Sequence, residues 1–373
     1  MISAFHKYHK TPIFGAICVG AERILCLLLI LTMLSFSSLS GCSGSSKEDD
    51  LKEDNPEEVL SMDDIQELLS ISAPSETSKQ TDSHDKFSSH REYHYQGRTR
   101  VVMLGTGTPA ADPQKAGPSV AIVVGAHSYI VDCGAGVVRR AAAAHMMGIK
   151  GLEPKRLRRV FLTHLHSDHT VGLPDLWLSP WVLGRRHPLE VYGPPGTSRL
   201  TKYLRMAYME DVQTRRSGPQ PANSFGHRIV STEVSPGVVY KDSRVRVRAF
   251  PVRHGRWRYA YGYRFETKDR VVVISGDTVP TEEVVRNCQG CDVLVHDVYS
   301  SHGASKLPPS KRAYHRISHT SGYELADLAK RARPKLLVLQ HQLLWGANEA
   351  SLLGEIRSLY SGAVVSAQDL DIY

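Results

Sequence analysis

The chain has 373 residues, of which 41% are hydrophobic and 23% charged, with a formal net charge of +8 at pH 7. This composition is ordinary for a globular protein and excludes collagen-like, wholly disordered and multi-span membrane classes. The charge is uneven, because residues 43–95 hold 5 basic and 14 acidic residues whereas residues 96–373 hold 38 basic and 23 acidic ones. A strongly basic domain therefore follows an acidic leader, and its field favours anionic partners.

The N-terminus is predicted to be a targeting segment. Basic residues precede the apolar run Ile24–Leu34, which is too short for a comfortable transmembrane helix. The tetrapeptide Leu39-Ser-Gly-Cys42 then resembles a bacterial lipobox, whose Cys is lipidated and becomes the mature N-terminus. We interpret residues 1–42 as a lipoprotein signal peptide with Cys42 as the lipidation site, the alternative being an uncleaved signal anchor. The expected product is an exported lipoprotein on the periplasmic side of a bacterial membrane.

Residues 43–95 are rich in Ser, Asp, Glu and Lys and contain few large apolar side chains. Such a segment cannot bury enough surface to offset its ordering entropy, so we predict a disordered acidic linker. Further along, Cys288 and Cys291 form a CxxC pair that a disulfide would suit in an oxidising compartment. Two small semi-buried residues after a helix are the favoured interpretation of this pair.

From residue 96 onward, short β-rich segments bounded by glycine alternate with helical patterns. The predicted strands are Val101–Leu104, Val120–Val124, Tyr129–Val131, Val160–Thr163, Leu189–Tyr192, Val245–Phe250, Val271–Ser275, Val293–His296, Leu336–Leu339 and Val364–Val365. The predicted helices are Val137–Met147, Thr197–Met209, Thr281–Asn287, Tyr323–Ala332 and Glu349–Tyr360. Alternating strands and helices indicate one layered α/β domain over residues 96–373.

The most informative segment is Thr163-His-Leu-His-Ser-Asp-His-Thr170, at the end of a predicted strand. His164 and His166 are two residues apart, so they share one side of an extended segment. Asp168 and His169 follow where the chain must turn, and they face the same space from another direction. Neutral imidazole nitrogens and carboxylate oxygens suit Zn²⁺, so this segment predicts a metal site rather than a solvated loop.

This HxHxDH segment resembles the signature of the metallo-β-lactamase superfamily, and the resemblance covers nearly all of residues 100–373. It is closest to the branch that holds ribonuclease Z and the AtsA-type zinc arylsulfatases. The matching segments are Leu104–Pro109, Tyr129–Gly134, Tyr192–Gly196, Ala260–Arg264, Ser275–Thr278, Leu294–Asp297 and Leu337–His341. The resemblance implies an αβ/βα sandwich of two mixed β-sheets with helices outside.

The resemblance also implies two zinc ions per chain. By residue-to-residue correspondence, His164, His166 and His254 would hold one ion, while Asp168, His169 and His341 would hold the other. Asp277 would bridge them. Two such ions, about 3.5–4 Å apart, would activate a shared water as the hydroxide that attacks the substrate.

The resemblance assigns supporting roles as well. Asp168 would orient the attacking hydroxide, and His319 would act as the general acid near the leaving group. His296 and Asp297 match the family's His-Glu pair that supports this histidine, with Asp in place of Glu. Asp132 is expected to hydrogen-bond the metal loop from behind. Three further histidines have no counterpart in the family and are predicted to lie on the surface: His187, His302 and His315.

Three substrate classes compete. The favoured one is an anionic ester, either an arylsulfatase-like sulfate ester or a phosphodiester. The second is precursor tRNA, as in ribonuclease Z. The third is a lactone or other neutral ester, or no substrate at all if the protein binds metal without catalysis. Ribonuclease Z usually carries a Gly/Pro-rich arm between the segments that match Ala260–Arg264 and Ser275–Thr278, and residues 263–276 leave no room for one. An exported enzyme would also not meet cytosolic tRNA, although the basic domain suits a phosphate backbone.

Four short sequence segments resemble the arylsulfatase-like group and favour that class. Similar segments are Gly117–Ala121, Trp177–Arg186, Gly237–Asp242 and Asp369–Tyr373. Several aromatic residues near the metal motifs are candidates for an apolar pocket, with core packing as the alternative: Trp177, Trp181, Trp257, Tyr259 and Trp345. Arginines that flank His254 are candidates to contact an anionic oxygen: Arg253, Arg256 and Arg258. Relatives are often dimers, so a homodimer is a further expectation.

Overall fold

A computed structural model describes residues 99–373. The expected signal peptide, the expected linker and the proposed lipidation site at Cys42 lie outside the described residues. The strands are β1 Thr99–Gly105, β2 Ser119–Val124, β3 His127–Val131, β4 Arg159–Phe161, β5 Leu189–Gly193, β6 Ile229–Glu233, β7 Gly237–Lys241, β8 Val245–Pro251, β9 Tyr261–Thr267, β10 Val271–Ile274, β11 Val293–Tyr299, β12 Leu336–Leu343 and β13 Val364–Ser366.

The helices of the described region lie between these strands. They are α1 Val137–Met146, α2 Ser167–Thr170, α3 Leu173–Val182, α4 Thr197–Ala207, α5 Met209–Ser217, α6 Glu282–Cys288, α7 Ser301–Ser305, α8 Pro309–Ser318, α9 Gly322–Ala332 and α10 Glu349–Arg357. Two short 3₁₀ helices, Lys150–Leu152 and Pro154–Arg156, precede β4. None of the helices in residues 99–373 has the length and apolar character needed to cross a bilayer.

Two mixed sheets form the framework. The first has six strands in the order β1-β2-β3-β4-β5-β6, and the second has seven in the order β13-β12-β11-β10-β9-β8-β7. In the first sheet β3 to β6 run parallel, and in the second β10 to β13 run parallel. The sheet architecture and the enclosing helices confirm the predicted αβ/βα sandwich.

The sheets pack face to face, and helices cover their outer faces. Strand β8 illustrates this packing, because its side chains alternate between the two faces of the sheet. Val245, Val247 and Ala249 are buried, while Arg246 and Arg248 are exposed. One apolar cluster joins the inner faces of both sheets. A second packs α1 and α3 on the first sheet, and a third packs α6, α9 and α10 on the second. The order is therefore helix, sheet, sheet, helix, and the loops at the strand ends lie along one edge of the sandwich.

Helix α3 was missed in the sequence because Pro180 lies inside it. Pro180 has no N–H, so the Leu176 carbonyl loses its usual helical donor. The buried Arg185 guanidinium supplies one instead, donating to Leu176 O at 3.0 Å and to Trp177 O at 2.7 Å. It also donates to the carbonyls of Leu157 and Gly226. A cation thus satisfies the backbone that the proline leaves open.

Residues 369–373 close the first sheet. Tyr373 and Val101 exchange backbone hydrogen bonds of 2.8 and 2.9 Å, which places this segment beside β1. The Asp369 carboxylate accepts from Thr106 N at 2.8 Å and from Ala116 N at 2.7 Å. The segment therefore covers an edge strand and also holds the loop that follows β1.

The CxxC pair differs from the favoured interpretation. Cys288 and Cys291 are buried and form a disulfide that spans the end of α6. The two small side chains are indeed enclosed, but by a covalent link rather than by packing alone.

Candidate metal centre

Five buried or half-buried histidines and two aspartates converge at one edge of the sandwich. They come from loops that follow strands, from the short helix α2 and from β12, and each is one of the predicted ligands: His164, His166, Asp168, His169, His254, Asp277 and His341. Their donor atoms form overlapping groups in which all atoms lie within 4.8 Å of one another. The structure thus brings together all seven residues, which are spread over nearly 180 positions of the sequence.

The first three imidazoles are aimed by hydrogen bonds on their far nitrogens. His164 Nδ1 donates to Thr163 Oγ1 at 3.0 Å, and His254 Nδ1 donates to the Ser318 carbonyl at 2.7 Å. Their Nε2 atoms therefore carry lone pairs when the rings are neutral. Both point at His166 Nδ1, at distances of 2.9 and 3.1 Å. His166 Nδ1 can donate to at most one of these two lone pairs, so the other stays unsatisfied unless a cation lies between the rings, and this trio fits a divalent metal.

The second group is built from Asp168, His169 and His341. His169 Nδ1 donates to Asp132 Oδ2 at 2.8 Å, which leaves the buried Nε2 without a hydrogen-bond partner. That Nε2 lies 3.4 Å from Asp168 Oδ2 and 3.4 Å from Asp277 Oδ2. His341 Nε2 lies 3.3 Å from the same oxygen of Asp168. A nitrogen lone pair that faces carboxylate oxygens also requires a cation, so this group fits a second ion.

Asp277 joins the two groups. Its Oδ2 is 3.9 Å from His254 Nε2 on one side and 3.4 and 3.5 Å from the Nε2 atoms of His169 and His341 on the other. The preceding Gly276 has φ +63°, and a Cβ there would meet Thr163 at 2.9 Å. Glycine is therefore required for the turn that brings Asp277 against the HxHxDH loop.

His341 reaches the centre through an irregularity of β12. The sequence predicted that its strand ends at Leu339, whereas β12 continues to Leu343. Asp297 pairs with Gln340 and Val298 with Gln342, so His341 is an extra residue in a β-bulge. It adopts φ +49°. A bulge re-aims one side chain without ending the strand, which is how this imidazole leaves the sheet plane.

Asp132 supports both groups from behind. One carboxylate oxygen accepts from Thr163 N at 2.8 Å, and the other accepts from Thr163 Oγ1 and His169 Nδ1, both also at 2.8 Å. The residue follows β3 with φ +58°. This is the geometry that the sequence predicted for Asp132, a carboxylate that orients the ligating rings.

The pKa shifts separate the two groups. Burial lowers the pKa of His164 and His254, and burial with the neighbouring His254 lowers that of His166 to about 4. In the second group, burial opposes the charged form, but Asp277 and other carboxylates raise the pKa of His169 and His341. Without a metal ion, protons on His169 and His341 therefore balance the charge of the carboxylates. A bound ion would take over this role.

His319 lies beside the ligands at the end of α8. Its Nδ1 donates to Asp297 Oδ2 at 2.9 Å and is 3.9 Å from Asp277 Oδ2. Burial would raise the pKa of Asp297, but His296 and His319 lower it, so Asp297 is ionised. His296 Nδ1 donates to the Asp297 carbonyl at 2.7 Å. Asp297 therefore contacts His319 directly despite being the shorter acid, whereas His296 contacts Asp297.

The prediction that His315 lies on the surface is wrong. Its ring is half-buried, 5.6 Å from the His319 ring and 4.4 Å from that of Trp345. Burial and the adjacent His319 lower its pKa to about 4. The signal was available, because His315 lies four residues before His319 and therefore one helical turn away. His187 and His302 are exposed as predicted.

Two cavities flank the centre. One of about 410 Å³ is lined by His166, His254, Trp257 and neighbouring residues, including Tyr314 and Ile317 of α8. The other, of about 450 Å³, is lined by Asp168, Ser167 and the loop around Pro109. Of the candidate pocket aromatics, Trp257 lines a cavity, whereas Trp177 and Trp181 are buried in the core under the first sheet, which is the alternative that the sequence left open.

A family model described as "Beta-lactamase superfamily domain" matches residues 127–342, more than half of the chain. The chain belongs to the β-lactamase superfamily. With the metal-ligand geometry and the relatives below, it is a metallo-β-lactamase-superfamily hydrolase of the ribonuclease Z-type branch. Members of this fold use divalent metal, and the donor set of this chain fits it.

The similar sequences bear the name ribonuclease Z. That of Mycobacterium sp. strain KMS is 36% identical over 246 residues, which cover 65% of this chain and 84% of the relative. That of Mycobacterium bovis strain BCG Pasteur 1173P2 is 34% identical over 250 residues, which cover 65% of this chain and 85% of the relative.

Solved structures share the fold. The metallo-β-lactamase fold protein YhfI of Bacillus subtilis superposes with a TM-score of 0.56 at 18% identity, covering 74% of this chain and 98% of that one. The short form of human tRNase Z gives 0.53 at 23% identity, with the same coverage.

Proposed function

We propose that the protein is a dinuclear zinc-dependent phosphodiesterase of ribonuclease Z type. The observation that carries this proposal is the pair of cavities of about 410 and 450 Å³ on the two sides of the metal centre. A phosphodiester has a substituent on each side of the reacting phosphorus, whereas a sulfate monoester has one. The ribonuclease Z relatives and the basic charge of residues 96–373 support the same substrate class.

The residues divide the chemistry between them. Zinc ions, when bound by the seven ligands, supply a Lewis acid and an activated water. Asp168, whose Oδ2 lies 3.4 Å from His169 Nε2 and 3.3 Å from His341 Nε2, would orient the attacking oxygen. Asp297 holds the His319 ring through Nδ1, so that Nε2 can donate a proton to the leaving oxygen. The ionised Asp297 stabilises the imidazolium that this step requires.

An arylsulfatase-like reaction is the second candidate. The cavity on the His166 side exposes far more apolar than polar surface and is bordered by Trp257 and two arginines, Arg256 and Arg258. An aromatic ring with a sulfate group would suit such a cavity. The lining of the cavity on the His166 side therefore favours this candidate. A diester, with a substituent on each side, accounts for both cavities.

The test is a substrate panel on the zinc-loaded full chain. We expect turnover of bis-p-nitrophenyl phosphate and of a precursor tRNA to exceed that of p-nitrophenyl sulfate and of a lactone. Higher kcat/KM for the sulfate would replace the phosphodiesterase proposal by the second candidate. Turnover of the diester without cleavage of tRNA would retain the reaction but exclude the tRNA substrate.

We also propose export as a lipoprotein, on the lipobox-like segment that ends at Cys42. An exported enzyme would meet diesters outside the cytosol, so the tRNA of the panel tests the reaction and not the natural substrate. Expression in a bacterium followed by membrane fractionation tests this proposal. The wild-type chain should label with radioactive palmitate and sediment with membranes, and Cys42→Ser should do neither. Equal labelling of both chains would exclude Cys42 as the lipidation site.

A further inference from the structure

The cavity on the His166 side has an unusual wall. Tyr314 and Ile317 are three positions apart on α8, so they share one face of the helix, and they are 48% and 55% exposed. Trp257, 37% exposed, faces the same cavity of about 410 Å³ from the loop after β8. Large apolar side chains held open to solvent beside a reaction centre are typical of a ligand site.

The backbone fixes these walls relative to the metal ligands. Gly255 N donates to the Ile317 carbonyl at 3.0 Å, and the His254 ring donates to the Ser318 carbonyl at 2.7 Å. A Cβ on Gly255, whose φ is +52°, would approach Ser318 Oγ to 2.8 Å. The end of α8 therefore lies as close to the His254 loop as a glycine allows.

The cavity is also marked by charge. Arg256 and Arg258 lie on its rim, and no carboxylate lines it. The Arg258 guanidinium carbon lies 5.2 Å from the centre of the Tyr259 ring, a cation–π contact that orients the arginine side chain. The site thus combines aromatic faces, an aliphatic side chain and positive charge, within contact of the ligands His166 and His254.

We propose that this cavity binds a planar aromatic ring of the substrate, next to the anionic group held at the metal centre. This inference rests on the proposed function and deepens it, because it names Trp257 and Tyr314 as the residues that select an aromatic substituent. The ring can be a nucleobase of RNA or the aryl group of a small ester, since both present a flat π-face. Stacking of one base on an aromatic residue contributes about 1–3 kcal/mol, which corresponds to roughly 5- to 150-fold in affinity.

The experiment measures equilibrium binding rather than turnover. Phenylphosphonate and methylphosphonate carry the same anionic group and differ in the ring, and each is titrated calorimetrically into the zinc-loaded full chain. We expect the wild-type chain to bind phenylphosphonate at least fivefold more tightly. Trp257→Ala and Tyr314→Ala should each remove most of this preference, with metal content measured on the same samples.

Conservative variants separate stacking from folding. Trp257→Phe and Tyr314→Phe keep a ring and should keep the preference, as should Tyr323→Ala, which removes an equally exposed tyrosine on α9 outside the cavity. Equal affinity of the wild-type chain for the two phosphonates would overturn the aromatic site but not the reaction. A ring preference without diester turnover would overturn the reaction but not the site. Uridine 5′-monophosphate distinguishes the sources, since it would bind like phenylphosphonate only if the cavity takes a nucleobase.

Discussion

Asp277 is the residue on which both halves of the metal centre depend, because one of its oxygens lies within 3.9 Å of ligands from each group. Burial would raise the pKa of this carboxyl, but His341 and His169 lower it well below its usual range, so it is ionised. Its negative charge is therefore available to two ions at once.

The first prediction concerns this bridge. Asp277→Ala should reduce bound zinc below two ions per chain and abolish hydrolysis, because both sites lose a shared ligand. Elemental analysis of the dialysed chain measures the stoichiometry. Asp211→Ala, which changes a partly exposed carboxylate on α5 that pairs with Arg215, should leave two ions in place. Two bound ions in the Asp277 variant would contradict the bridging role.

The second prediction concerns His319. His319→Ala should lower kcat by about 10²- to 10⁴-fold while zinc content stays at the wild-type level, because the proton donor is lost and the ligands remain. His302→Ala removes an exposed histidine of α7 and serves as the matched control. An unchanged kcat would remove His319 from the reaction.

The third prediction follows from a contact of Trp257. Its indole Nε1–H donates to His166 Nε2 at 2.7 Å, although a histidine that binds metal through Nδ1 carries its own proton on Nε2. Two donors cannot remain at this distance, so loading with zinc should move the indole. We expect tryptophan fluorescence to change during a zinc titration of the wild-type chain and to stay nearly constant in Trp257→Phe. The same change in both chains would assign the signal to other tryptophans.

For individual residues, the sequence predicted the seven metal ligands but not all of the side chains that surround them. The seven ligands belong to the HxHxDH motif or follow predicted strands, and both features can be recognised in the sequence. Tyr314, Ile317 and His315 were missed because α8 has prolines at its start and exposed apolar residues, which resemble a loop in the sequence. Their neighbours are fixed only when α8 docks on the His254 loop.

Among the elements, most strands that are buried on both faces were predicted, whereas two half-exposed edge strands, β6 and β7, were missed. Runs such as Val293–His296 are apolar on both faces because helices and the other sheet cover them. Strands β6 and β7 end their sheets and are half-exposed, so their sequences lack the apolar run that marks a strand. The bulge at His341 was also invisible, because it depends on the register with β11.

The fourth prediction tests the link between α3 and Arg185. Burial, with Arg158 nearby, lowers the pKa of Arg185 to about 9, so its guanidinium is charged at pH 7 and donates to four carbonyls. Arg185→Met should lower the free energy of unfolding by about 3 kcal/mol, because buried acceptors lose their donors. Chemical denaturation measures the change, and the exposed Arg186→Met is the control. Equal stability of the two variants would refute this role.

For the whole molecule, the packing of one sheet on the other decides stability. Tyr129 of β3 donates to Asp242 Oδ2 at 2.6 Å, and Asp242 lies in the turn between β7 and β8 of the other sheet. Burial would raise the pKa of Asp242, but Tyr129 and the backbone N–H groups of Arg244 and Val245 lower it. The folded state therefore favours the ionised carboxylate.

The fifth prediction uses this shift. Because the pKa is lower in the folded state, the stabilisation is full above the unfolded value of about 3.9 and is lost as the pH falls through the folded value. Asp242→Asn should reduce the free energy of unfolding by about 1–3 kcal/mol at pH 7, and the difference from wild type should shrink below pH 4. Denaturation of both chains with EDTA present removes the contribution of metal. A difference that is independent of pH would contradict the assignment to the charged form.

The segment at residues 369–373 has a consequence for how the molecule is made. Strand β1 is synthesised first, yet its free edge stays open until Ile372 and Tyr373 reach it, and the loop beside Asp168 waits for Asp369, 263 positions after Thr106. Contacts of such long sequence separation form slowly. A ribosome that has translated nine-tenths of the domain therefore carries a nascent chain that still lacks a finished catalytic cleft.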